Sequence, residues 1–252
     1  MSDPLVQQPS AKTPQTEWSS LYEQHQEHKV AVSNVSSPPF NKLANPAPLG
    51  LFGFAVTSFV VGMYNCGAGL PDSNPRGSHG PDQAAFGLAL FMGGMIQVIV
   101  GIMEFRVGNT LGTTIHSSYG AYWMAYAMLK IPGLNIREAY GDERSYTFAL
   151  GIFLIIWVLL TIVFMLASIH SNISALLVFV FLALTYLFLA IANFIATSYP
   201  KQSVQMNKAG GASGVICGII AFYCAASGLM SPEMTPVRLP LGPVPWTKQH
   251  IV

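Results

Sequence analysis

Charge is what this 252-residue sequence has least of. Asp, Glu, Lys and Arg make up only 9% of it, against roughly 25% in soluble domains. The net charge is +1. No basic run, basic-aromatic patch or zinc-ligand spacing is present, so the chain has no nucleic-acid-binding signature. Cysteine is scarce as well. Cys66, Cys217 and Cys224 form neither a disulfide framework nor a CxxC site. Cys217 and Cys224 share a helix face and read as small apolar packers. A nucleophile elbow, a P-loop and an HExxH motif are all missing. No carboxylate is placed to orient His116 beside Ser117 and Ser118. Nothing points to an enzyme, a metal site or a cofactor.

Apolar residues fill the space that charge leaves, at 52% of the chain. They gather into six segments, each near the roughly 20 residues needed to cross a bilayer. The spans are expected at about 46–65, 84–103, 111–131, 146–167, 173–195 and 210–230. ALGIFLIIWVLLTIVFMLA and ALLVFVFLALTYLFLAIA, in the fourth and fifth, carry no charge at all. The third, LGTTIHSSYGAYWMAYAMLKI, is the most polar, and alone its first half reads as re-entrant or interfacial. Backbone groups in lipid are satisfied only in helices or closed barrels, and these runs are too long and too apolar for barrel strands. The expectation is an all-α membrane protein, a six-helix bundle over residues 43–231 embedded in a lipid bilayer. Residues 1–42 are polar and read as a disordered tail, and 232–252 as a C-terminal tail. Lys and Arg divide nearly equally between the two sides, so the positive-inside rule does not decide orientation. The absence of an export signal assigns the N-terminus to the cytosol, and six spans bring the C-terminus back there.

The first span opens with NPAPLGL. With Asn45 as N-cap, Pro46 sits at the first helical position and Pro48 at the third. Two of the four N–H groups that a helix start leaves unpaired are then absent. The helix end either caps efficiently near the interface or faces a pore and attracts a carboxylate. Further along, no Asp, Glu, Lys or Arg occupies the middle of any span. Glu104 and Arg106 end the second, where Glu104 is either functional or paired with Arg106 or water. Lys130 ends the third and snorkels. The polar groups left inside are Thr57, Gln97, Thr113, Thr114, His116, Ser117, Ser118, Tyr119, Thr185 and Asn193. Thr113, His116, Ser117 and Gly120 share one helix face that lines water or another helix. Gly87, Gly94, Gly101 and Gly108 recur at seven-residue spacing, and Gly210, Gly214 and Gly218 at four. Such stripes allow close helix approach, within one chain or between subunits.

NPAPLGL resembles the hallmark of the acetate uptake transporter family, also called the succinate–acetate permease family. A second block, FMGGMIQVIVGIMEFRVGNTLGTTIHSSYGAYW, is similar to that family's GG-x-x-Q…G-x-x-E-F…G-N-T…S-Y-G-x-x-W run. KAGGASGVICGIIAFYCA and RLPLGP agree as well. The long polar N-terminal tail is similar to that of fungal members. The resemblance implies six transmembrane helices around a pore in each subunit, a homo-hexamer in the plasma membrane, and passage of acetate and other short monocarboxylates with proton coupling. It also implies a hydrophobic constriction. The residues that match are Phe54, Tyr119 and a leucine of the fifth span, taken as Leu184 with Leu182 as the alternative. Asn45, Thr57, Gln97, Glu104, His116, Thr185 and Asn193 are candidates for the substrate path or its gating. His116 replaces the family's usual Phe, and either titrates near pH 6.5 on that path or packs as a neutral ring. Two rival functions follow: a pore for ammonia or other small neutral solutes, and an acetate-responsive sensor that signals through the N-terminal tail.

Overall fold

A computed structural model describes residues 43–76, 84–230, 232 and 234–245, together with the helical Ser19 and 21–24. The expected disorder of residues 1–42 lies almost wholly outside that set. Contacts divide the chain into Met1–Ala44 and Asn45–Val252, and the second unit holds all that follows.

Six long helices dominate this unit: α1 (Ala47–Asn65), α2 (Ala85–Arg106), α3 (Thr110–Met128), α4 (Glu143–Ala167), α5 (Ile173–Phe194) and α6 (Pro200–Leu229). Five of them are long and apolar enough to cross a membrane. α3 is not among these, because hydroxyls and His116 dilute its first half. α4 shows how the composition is sorted. Gly151, Leu154, Val158, Thr161 and Phe164 face inward. Ile152, Ile156, Leu159, Val163 and Leu166 form a second stripe at the same helical spacing, each more than half exposed. An open apolar stripe of that length is aggregation-prone in water and well solvated in lipid.

The helix ends follow from local chemistry. Asp142 caps α4 by accepting from Ser145 N at 2.9 Å, and Asn172 caps α5 by accepting from Ala175 N at 2.8 Å. α5 has a further cap made at long range. Ile173 N donates to Gly242 O at 2.9 Å and Ser174 N to Leu241 O at 3.1 Å. The RLPLGP segment is thus a strap that satisfies amides otherwise left unpaired. α1 begins one residue later than expected, with Pro46 in helical conformation. Asn45 Oδ1 accepts from Ala47 N at 3.1 Å, so the expected side-chain bond is present. α6 corrects the reading more. It starts at Pro200, not near residue 210. The polar turns KQSVQMNK are helical because their inward residues bond other helices: Ser203 Oγ donates to Ala192 O at 2.7 Å and Asn207 Nδ2 to Asn65 O at 3.1 Å.

α2 is not a regular α-helix. Its first half widens into a π-helix over Leu88–Ile96, which spans the paired Gly93 and Gly94. Such segments are rare and concentrate at functional sites.

Candidate functional site

Three features are stacked along the interior. The first is a vestibule of about 260 Å³, formed where α1, α3 and α5 end and α4 and α6 begin. Asn65, Arg76, Lys130, Arg137, Glu143, Asn193 and Asn207 supply its polar lining. Among the described residues, three cations thus face one carboxylate. Arg137 and Glu143 pair at 2.7 Å while both remain largely exposed, a geometry worth little in stability. Lys130 lies 5.0 Å from the Tyr126 ring centre.

The second feature is a chamber of about 30 Å³, close to the volume of one water. Val61, Asn65, Tyr122 and Leu189 line both cavities, so the two adjoin. Ser58, Trp123, Leu182, Thr185 and Cys217 complete the chamber. Ser58 Oγ and Trp123 Nε1 are buried and have no hydrogen-bond partner. An orphaned buried donor costs roughly 1–3 kcal/mol.

The third feature is a dry plug. Phe54 and Tyr119 are 3% and 2% exposed, with ring centres 6.0 Å apart. The Tyr119 ring also lies edge-on to Phe164 at 5.6 Å. Leu182 shares this core cluster. Leu184 does not: it is half-buried and outside the cluster. Two residues along a helix turn through about 200°, so the pair point to different sides of α5, and it is Leu182 that lines the chamber. Leu182 follows the face of Val178, Thr185, Tyr186 and Leu189. The Tyr119 hydroxyl is 2.9 Å from Thr161 Oγ1. Thr161 donates its own proton to Trp157 O at 2.6 Å, so Tyr119 is the donor in their pair.

The remaining candidates sort into two groups. Thr185 and Asn193 face the chamber and vestibule. Thr185 Oγ1 donates to Phe181 O at 2.8 Å. Thr57, Gln97, Glu104 and His116 belong instead to a buried seam of α1, α2 and α3. Thr57 Oγ1 donates to Gly53 O at 2.8 Å and Gln97 Nε2 to Gly93 O at 2.7 Å. His116 Nδ1 lies 3.3 Å from Gln97 Oε1, the free acceptor of that amide, so Nδ1 carries the hydrogen. Gly50 admits this ring, since a Cβ there would fall 2.6 Å from His116 Nδ1. Glu104 Oε2 accepts from Asn109 Nδ2 at 2.7 Å, while Oε1 has no partner. Arg106 is exposed, and the side chain that bonds Glu104 is Asn109 rather than Arg106. Thr113 Oγ1 is also buried without a partner. Asn45 is exposed at the end of α1 opposite the vestibule.

The glycine stripes pack mostly within the chain. Gly94 and Gly101 meet Met124 and Ser117 of α3, while nothing lies near Gly87 or Gly108. Gly210 and Gly214 meet α5, and Gly218 meets α1. Sequence reasoning missed Arg76, Asn65, Asn207, Ser58, Trp123 and Thr161. The available signal was a lone hydroxyl or amide inside or beside an apolar run for Asn65, Asn207, Ser58 and Thr161, the closing Trp of the second motif block for Trp123, and a lone charge in a polar loop for Arg76.

These features define a helical membrane protein with an open polar cavity at one end and a closely packed aromatic core beyond it. The chain belongs to the GPR1/FUN34/yaaH family, whose profile it matches over residues 28–246. It is 40% identical over 197 residues to ammonia transport outward protein 2 of Saccharomyces cerevisiae, covering 77% of this chain and 64% of that one. It is 34% identical over 211 residues to acetate permease A of Emericella nidulans, covering 82% and 68%. The chain therefore spans about two-thirds of the length of these fungal relatives. Its fold matches the solved structure of the bacterial acetate channel SatP with a TM-score of 0.66 and 29% identity, over 80% of this chain and all of that one.

Proposed function

We infer that this protein carries acetate and other short monocarboxylates across a membrane. The route runs from the vestibule through the chamber and past the plug of Phe54, Tyr119 and Leu182. The observation that carries this reading is the chamber: buried donors without partners lie between a cation-lined mouth and an apolar plug. Neutral donors can hold a carboxylate without binding it too tightly to release, and a dry constriction rejects hydrated ions. Relatives named for acetate transport support the same reading. α3 crosses the bilayer as the sixth span, its polar face covered by α1 and α2. The subunit sits in the plasma membrane with both termini cytosolic, which places the vestibule outside. It assembles as a homo-hexamer, and transport is coupled to protons.

A second reading, an ammonia pore, is favoured by the relative named for outward ammonia transport. Purified protein in liposomes separates the two. Entry of labelled acetate is compared with that of ammonia, each with and without an imposed pH gradient. Acetate entry above empty liposomes, driven by an inward proton gradient, supports the first reading. Ammonia entry alone supports the second. Native mass spectrometry of the same preparation checks the six-subunit assembly.

A further inference from the structure

Arg76 lies in the turn after α1, and its guanidinium reaches α5 and α6. Nη2 donates to Asn193 Oδ1 at 3.2 Å and Nη1 to Asn207 Oδ1 at a longer 3.4 Å. Its backbone N–H donates to Asn74 Oδ1 at 3.0 Å, which fixes the turn. Both acceptors are pinned from behind. Asn193 Nδ2 donates to Leu189 O at 2.8 Å and Asn207 Nδ2 to Asn65 O at 3.1 Å, leaving the two amide oxygens for the arginine.

Neutral amides orient a guanidinium without neutralising it. Arg137, on the same wall, differs: Nε and Nη2 both bond Glu143 Oε2, at 2.9 and 2.7 Å. Arg76 presents five N–H donors in a planar fork, and its two amide bonds leave part of that fork for another acceptor. Burial pushes its guanidinium down from the ordinary value, partly offset by Glu143, yet an arginine keeps its charge at physiological pH. The adjoining space of about 260 Å³ holds acetate with several waters at ~30 Å³ each.

We propose that Arg76 is the carboxylate-capturing residue of the vestibule. Its guanidinium, positioned by Asn193 and Asn207, takes the carboxylate of a short monocarboxylate anion before the solute enters the chamber. The proposal rests on the acetate reading of the same interior.

The test is the concentration dependence of labelled acetate entry into liposomes holding wild-type, Arg76→Gln or Arg76→Lys protein. Losing a charge-assisted fork raises KM for acetate by about tenfold or more in Arg76→Gln. The maximal rate stays within about twofold, because the plug is untouched. Arg76→Lys, which keeps the charge and loses the planar fork, falls between. An unchanged KM in Arg76→Gln overturns the proposal. So does a lowered maximal rate at constant KM, which marks a purely structural role. Wild-type protein that admits no acetate fails the functional reading itself, a result distinct from equal KM values.

Discussion

The two ends of the bundle use polar residues in opposite ways. At the vestibule end, Arg76, Asn65, Asn193 and Asn207 bond one another across gaps of up to 142 residues. They do so near the helix ends and in the turn after α1, beside open space. At the other end, Gln97, Glu104, Asn109 and His116 bond within a seam of three helices. Glycine removes the space there: Gly50 against His116, and Gly101 against Ser117. The RLPLGP strap then covers the start of α5. The first arrangement keeps charge accessible to a solute, and the second spends polarity on holding helices together. Between them, Phe54, Tyr119 and Leu182 carry no accessible charge. Composition alone does not distinguish the ends, since each has amides and charged groups. What separates them is how much bonding capacity remains unspent beside a cavity.

The largest effect is expected at the boundary between the two ends. Leu182→Ala removes a buried side chain and costs about 2–5 kcal/mol. It also widens the plug, so entry of larger monocarboxylates rises relative to acetate. Leu184→Ala, outside the plug cluster, changes solute preference by less than about twofold. Uptake of a chain-length series by the two variants checks both statements. Next comes the seam. Gly50→Val drives a side chain into the His116 ring and destabilises by about 1–3 kcal/mol. His116→Ala in the same chain recovers part of that loss, a coupling read from thermal unfolding of both single variants and the double variant.

Thr161→Val is milder. It removes the acceptor of the Tyr119 hydroxyl and costs about 1 kcal/mol, measurable as a lower unfolding temperature. The mouth is the most tolerant. Arg137→Gln breaks an exposed ion pair and changes stability by less than about 1 kcal/mol, with an effect that shrinks further as salt is added. The smallest effect concerns Asp142 at the start of α4. Bonds from the Ser145 hydroxyl and N–H hold its carboxyl below the ordinary aspartate range. A depressed folded-state value gives stability that is present above the unfolded value, near pH 4, and lost as pH falls through the folded one. Asp142→Asn keeps a cap and removes the titration. Its unfolding temperature therefore drops less between pH 7 and pH 3 than that of the wild type.

Legibility in the sequence follows the same division. α4 and α5 were legible because lipid demands uninterrupted apolar length, and no other environment explains such runs. Phe54 and Tyr119 sit in motifs that fix their register. The leucine of the proposed constriction has no such anchor, since Leu182 and Leu184 lie in a run of similar residues and differ in the structure by helix face. The start of α6 was hidden because its polar residues face inward, where an apolar-run criterion reads them as loop. The vestibule was least legible of all. Asn65, Arg76 and Asn207 look like ordinary ends of spans and loops, and only folding places them with the candidate Asn193 around one cavity.

The most direct test of the account is labelled acetate uptake by liposomes holding the purified wild-type, Leu182→Ala and Leu184→Ala proteins, each shown to be folded. Acetate entry above empty liposomes, altered by Leu182→Ala and left nearly unchanged by Leu184→Ala, is the predicted result. No entry with the wild-type protein, or equal entry through all three, would contradict a monocarboxylate route through this plug.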